Sequence, residues 1–145
     1  MNLKVISILG YLLAVGGAIY LAYNEYIFTE NIVMITIQVL AAILMVWSRI
    51  TFGLRSFHAS ANTTKGALIT SGPYQFLRHP IYASVIYFFT ASLIAFPILK
   101  VLLAIFAIFF GLLIRMILEE KFLMNAYPAY ANYCKKAKRF IPYLV

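Results

Sequence analysis

Charge is scarce in this 145-residue chain: 11% of its residues are charged, only four of them acidic, while 64% are hydrophobic. Soluble domains carry roughly 25% charged residues, so a soluble fold is excluded and one integral membrane domain is expected. Cysteine is scarcer still. The single Cys134 excludes an internal disulfide or a cysteine-based metal cluster and reads as a small buried or interfacial thiol. The formal charge of +8 does not argue for nucleic acid. On a membrane protein, basic residues mark cytoplasmic loops and contact with anionic lipid, so membrane lipids are the expected partners and nucleic acid is not.

What the chain has in quantity is apolar runs. A bilayer core needs about 20 apolar residues in a helix, and Leu3 to Tyr23, Ile32 to Ser48, Ile81 to Phe96 and Ile98 to Leu118 qualify or nearly do. The first run is too long for a signal-peptide core and lacks a small-residue cleavage site, so it reads as an uncleaved span. The third covers only roughly 24 Å. Pro97 and its neighbours alone separate it from the fourth, which predicts a tight antiparallel hairpin. After Glu120, Phe122, Leu123, Ala126, Tyr130 and Tyr133 alternate with polar residues around Pro128, predicting one or two amphipathic pieces on the membrane surface. The expected fold is therefore an all-α integral membrane protein with four transmembrane helices, a hairpin of spans three and four, and a C-terminal amphipathic interfacial helix.

Lys100 lies alone at the turn between spans three and four. Lys4, Arg49, Arg55, Lys65, Arg78, Arg115, Lys121, Lys135, Lys136, Lys138 and Arg139 lie on the other side, and the positive-inside rule then predicts cytoplasmic termini. Trp47, beside Arg49, stands where an interfacial anchor belongs. Gly10, Ala14, Ala18 and Ala22 recur every four residues on the first span and predict close approach by another helix. Gln38, in mid-span, predicts an interhelical hydrogen bond.

The densest polar stretch is Gly72-Pro73-Tyr74-Gln75-Phe76-Leu77-Arg78-His79-Pro80-Ile81-Tyr82, at the mouth of the hairpin. If the turn centres near Ile98, residues whose numbers sum to about 197 lie at equal depth on helices of equal rise. His79 then faces Glu119, and Pro80 faces Leu118. Arg115 and Glu119 are four apart and can pair, whereas Glu119 and Glu120 point about 100° apart, so one binds and the other supports. Taken singly, Arg78 could meet lipid phosphate, His79 could cap a helix, and Arg115 with Glu119 could be a salt bridge. Together, ionisable groups near membrane depth indicate a functional site.

Gly72-Pro73-Tyr74, Arg78-His79-Pro80-Ile81-Tyr82, Arg115 with Glu119-Glu120 and Leu123, then Tyr130, Tyr133 and Arg139-Phe140-Ile141-Pro142 resemble the isoprenylcysteine carboxyl methyltransferase family. That family belongs to a wider group that includes phospholipid N-methyltransferases. The resemblance covers roughly residues 64 to 142. It implies S-adenosyl-L-methionine as cofactor, without a metal, and a lipophilic acceptor arriving from the bilayer between helices. By matching position it implies His79, Tyr82 and Glu120 as cofactor contacts with Tyr74 and Pro80 beside them, and Arg115 and Glu119 as catalytic residues near the acceptor. Residues 1–50 would form a two-span scaffold and 51–145 the cofactor-binding catalytic half. Ser84 and Pro128 stand where the family often has Gly, so packing around the adenosine and the C-terminal lid is expected to differ.

These residue types suit the chemistry. In-line displacement from a sulfonium needs no metal, and a carboxylate acceptor, already ionised near pH 7, needs orientation rather than a base. Arg115 offers a bidentate fork for it. An amine acceptor would need proton removal by Glu119, Glu120 or His79. The leading expectation is carboxyl methylation of a prenylated cysteine or similar lipid acid, with a phospholipid N-methyltransferase as the alternative. A non-catalytic scaffold or transport subunit is the rival from another class.

Overall fold

The structure is a computed structural model that describes residues 3–53 and 68–141. Arg55, Lys65 and Pro142, used in the charge and motif readings, lie outside them. The regular elements of the described residues are helices: α1 Leu3–Tyr23, α2 Ile32–Phe52, a 3-10 turn Gly72–Gln75, α3 Pro80–Ala95, α4 Leu99–Ala126 and α5 Tyr130–Lys136. Extended pairing among them is confined to one isolated parallel bridge, Leu77 to Lys138. Three helices, α1, α2 and α4, are long and apolar enough to cross a membrane; α3 is apolar but shorter, at 16 residues.

α1 packs most extensively on α4, and α2 on α3. Apolar side chains gain little by leaving lipid for one another, so close backbone approach through small residues carries such pairing. In the seam between α1 and α4, a Cβ on Gly111 would lie 2.3 Å from the Gly10 carbonyl oxygen, and one on Gly17 would lie 2.7 Å from the Ala104 carbonyl oxygen. The buried stripe of α1 is Ser7, Gly10, Ala14, Gly17 and Leu21. The expected ridge is thus right at Gly10 and Ala14, but it turns through Gly17, leaving Ala18 half-buried and Ala22 exposed. The reason is helical drift: alternating steps of four and three track a straight face better than repeated fours.

Gln38 finds its partners between helices. Its Nε2 donates to the Ile27 carbonyl at 2.6 Å and to Ser92 Oγ at 3.3 Å, while Ser92 Oγ donates to Ile27 O at 3.1 Å. These bonds join α2, α3 and the loop after α1.

Two expectations are modified. Residues 96–98 do turn α3 back into α4, but the two helices pack on each other less closely than α1 on α4 or α2 on α3. Between them lies a cavity of about 270 Å³ lined by Ile86, Phe89, Leu93, Ile105, Phe106 and Phe109 among others. Secondly, α4 does not stop near Leu118. It continues for 28 residues to Ala126, because nothing breaks the helix before Pro128, so Phe122, Leu123 and Ala126 belong to α4 rather than to a separate surface piece. The seven-residue α5 follows, with Tyr130 and Tyr133 buried and its lysines in the last turn.

Candidate functional site

The loop before α3 is shaped by glycine and proline. Gly72 adopts φ +58°, and a Cβ there would lie 2.8 Å from Thr51 Oγ1 at the end of α2, so both the left-handed backbone and the close approach require glycine. Pro73 opens the 3-10 turn and Pro80 opens α3, each at a first-turn position where a missing N–H costs nothing. Phe76 to Arg78 pair with the returning C-terminal segment: Lys138 N donates to Phe76 O at 3.0 Å, and Arg78 N donates to Lys138 O at 2.6 Å. The Tyr133 hydroxyl donates to the Tyr74 carbonyl at 2.6 Å.

Around this frame the ionisable groups meet in two linked sets. In the first, the Tyr82 hydroxyl donates to Glu119 Oε1, Arg115 Nε donates to the Tyr82 hydroxyl oxygen at 3.1 Å, and Arg115 Nη2 donates to Glu119 Oε1 at 3.3 Å. The guanidinium carbon of Arg115 lies 5.3 Å from the Tyr11 ring centre and 5.9 Å from that of Tyr82, within reach of cation–π attraction. In the second set, Glu120 meets Arg78 Nη1 at 2.8 Å and Arg139 Nη2 at 2.8 Å. His79 joins the sets, with Nε2 3.3 Å from Glu120 Oε1 and Nδ1 3.8 Å from Glu119 Oε2. Its ring stacks on Tyr82 at 5.6 Å.

Arg115, His79 and Glu120 are only 4%, 6% and 9% exposed. At such burial a charge without its partner is costly, so these groups hold one another in place. Burial pushes the Tyr74, Tyr130 and Tyr133 hydroxyls well above their ordinary pKa, which keeps them neutral donors. The hydrogen bond to Glu120 raises Arg139.

The structure brings His79, Tyr82, Arg115, Glu119 and Glu120 into one cluster, as depth pairing in the hairpin anticipates. Pro80 shapes the first turn of α3. Tyr74 packs on Phe52 of α2, ring centres 5.6 Å apart, and supports the loop through its carbonyl. Four further residues complete the cluster without having been assigned roles. Arg78 and Arg139 share Glu120; both stand in the motifs that carry the family resemblance, but neither was given a role at the site. Cys134 Sγ accepts from Arg78 Nη1 at 3.1 Å. Tyr11, on the first span, carried no signal. Two buried donors, Arg78 Nε and the Tyr130 hydroxyl, have no hydrogen-bond partner among the described residues. No group of three or more His, Cys, Asp or Glu among the described residues could hold a metal ion.

Comparison with known proteins gives two matches. The family model described as phospholipid methyltransferase matches residues 29–130. The cobalt-zinc-cadmium resistance protein CzcN of Cupriavidus metallidurans is 35% identical over 80 residues, which are 53% of this chain and 36% of that protein. The matched segment thus spans about a third of that relative's length. No solved structure is a significant match.

Proposed function

We propose a reaction on the premise that this chain belongs to the phospholipid methyltransferase family: transfer of a methyl group from S-adenosylmethionine to a lipophilic acceptor. The family and the three long apolar helices make the chain a multi-pass membrane protein with a methyltransferase domain. The observation that carries the finer reading is the buried cluster of His79, Tyr82, Arg115, Glu119 and Glu120. Its donor set suits the cofactor. A zwitterionic amino-acid group asks for a cation and an anion side by side, and Glu120 with Arg78 and Arg139 offers both. The Tyr130 hydroxyl and Arg78 Nε are buried donors available to an incoming acceptor atom. When bound, the cofactor supplies an electrophilic methyl on a sulfonium.

The remaining chemistry belongs to the protein. Glu119 is held in place by Tyr82 and Arg115. Three guanidiniums face two carboxylates, so the cluster keeps a net positive charge once Glu120 is engaged and favours an anionic acceptor over a cationic one. That favours a carboxylate acceptor, such as a prenylated cysteine, whose head would share the Arg115 guanidinium with Glu119 while its chain lies between α3 and α4. A second reading, an ethanolamine phospholipid, has the family description in its favour and would use Glu119 as proton acceptor. In either case α3 serves as a fourth, short span in a locally thinned bilayer, α5 lies at the interface, and the basic end faces the cytoplasm. Residues 1–50 act as scaffold for the catalytic remainder.

Transfer of labelled methyl from S-adenosylmethionine to prenylcysteine analogues and to ethanolamine phospholipids tests this directly. The prenylcysteine methyl ester is the expected product. Arg115→Lys should lose carboxyl methylation at least tenfold, about 1.4 kcal/mol, because the planar fork is lost. Full activity in that variant removes Arg115 from the reaction, and preferential amine methylation decides for the second reading. S-adenosylhomocysteine that fails to bind wild type defeats the methyltransferase reading altogether.

A further inference from the structure

The segment after α5 touches both halves of the site with adjacent residues. Arg139 binds Glu120, through Nη2 at 2.8 Å and Nε at 3.2 Å. Phe140, next in the chain, has its ring centre 6.3 Å from that of Phe109, and its carbonyl accepts from the Tyr87 hydroxyl. Phe109 lines the cavity between α3 and α4, and Tyr87 follows Ile86, another lining residue. Along their helices Ile86 and Phe109 are the lining residues nearest to Tyr82 and Arg115. Phe140 therefore ties Tyr87 of α3 to Phe109 of α4, beside the end of the cavity nearest the charged cluster.

From this juxtaposition we infer that Phe140 is the gate of the acceptor cavity and that the Arg139 to Glu120 pair holds the gate shut. The occupant is the hydrocarbon chain of a lipophilic anion, since the cavity walls are almost wholly apolar and the cluster at the gated end carries excess positive charge. This rests on the proposed lipophilic acceptor. The gate's logic is competition at one carboxylate. A cationic group that takes Glu120 displaces Arg139, loosens residue 140 with it, and lets the chain reach Arg115. Cofactor binding would then precede acceptor binding. Phe140 and Arg139 are positioning residues in this scheme, one acting through the cavity and the other through Glu120.

Photolabelling in lipid nanodiscs tests the gate without cofactor. The probe is palmitate carrying a mid-chain diazirine, with labelled positions mapped by mass spectrometry. Wild type should label weakly within the cavity, at residues such as Phe89 and the buried Ile108. Phe140→Ala and Arg139→Gln should each raise that labelling several-fold, and Tyr87→Phe, which keeps the ring and loses only the tie to residue 140, should raise it less. Wild-type yields in either of the first two variants overturn the proposal. So does labelling confined to lipid-facing positions such as Leu103 and Phe110. A separate arm adds S-adenosylhomocysteine to wild type and monitors its binding by calorimetry. Failure to bind there defeats the methyltransferase reading while leaving the cofactor-free gate result to stand.

Discussion

α4 treats its two neighbours differently. Against α1 it presents Ala104 and Gly111 at backbone contact; against α3 it leaves a cavity, and Ile108 borders both. The first face cannot move without clashing, whereas the second can widen by rotation of Phe89, Phe106 or Phe109. A membrane protein that must admit a lipid from the side needs both properties in one helix. The rigid seam fixes the depth of Arg115 and Glu119, and on the proposed function the loose face is where the acceptor enters. Arg115 stands where the faces meet, between Tyr11 of α1 and Tyr82 of α3.

The sharpest way to break this contrast is to damage the seam. Gly111→Leu forces a side chain against the Gly10 carbonyl, which has no rotamer with which to yield. It should cost about 3 kcal/mol or more, the upper end of overpacking penalties, seen as a lower thermal midpoint in detergent and a poor folded yield. The reciprocal change fills the loose face. Leu93→Phe should alter stability by less than about 1.5 kcal/mol, since the added volume has somewhere to go, while raising the acceptor KM and leaving S-adenosylhomocysteine affinity unchanged by calorimetry. A Leu93→Phe variant as unstable as Gly111→Leu would mean that the two faces are packed alike. The smallest effect is expected at Cys134→Ser, where a hydroxyl replaces the thiol as acceptor for Arg78. Its stability, followed by thermal unfolding, should match wild type to within about 0.5 kcal/mol.

Much of this architecture was legible because helices in a bilayer obey few rules. The Pro97 turn sets equal depths along α3 and α4, which brings Tyr82 to Arg115 and His79 to Glu119 despite their separation in sequence. Gln38 had to find an interhelical partner, and it did. The sequence could not supply lateral relationships. That α4 leans on α1 more than on α3 depends on which small residues meet, and Gly17 and Gly111 declare themselves only once the crossing is known. The continuation of α4 was missed because a change from apolar to charged composition looks like an end, although Glu119-Glu120-Lys121 has no helix-breaking residue. Arg139 was unassignable because its partner lies beyond the turn at Pro128, where the direction of the returning chain is not encoded by any periodicity.

The bridge between Leu77 and Lys138 also bears on how the protein is made. Synthesis runs from the N-terminus, so every helix down to α5 exists before residues 138 and 139 do. Until they arrive, Glu120 lacks one of its two guanidinium partners and the Phe76 to Arg78 backbone lacks its pairing segment. Completion of the charged cluster therefore waits for this segment, whose docking gives Glu120 its second guanidinium and the Phe76 to Arg78 backbone its partner together.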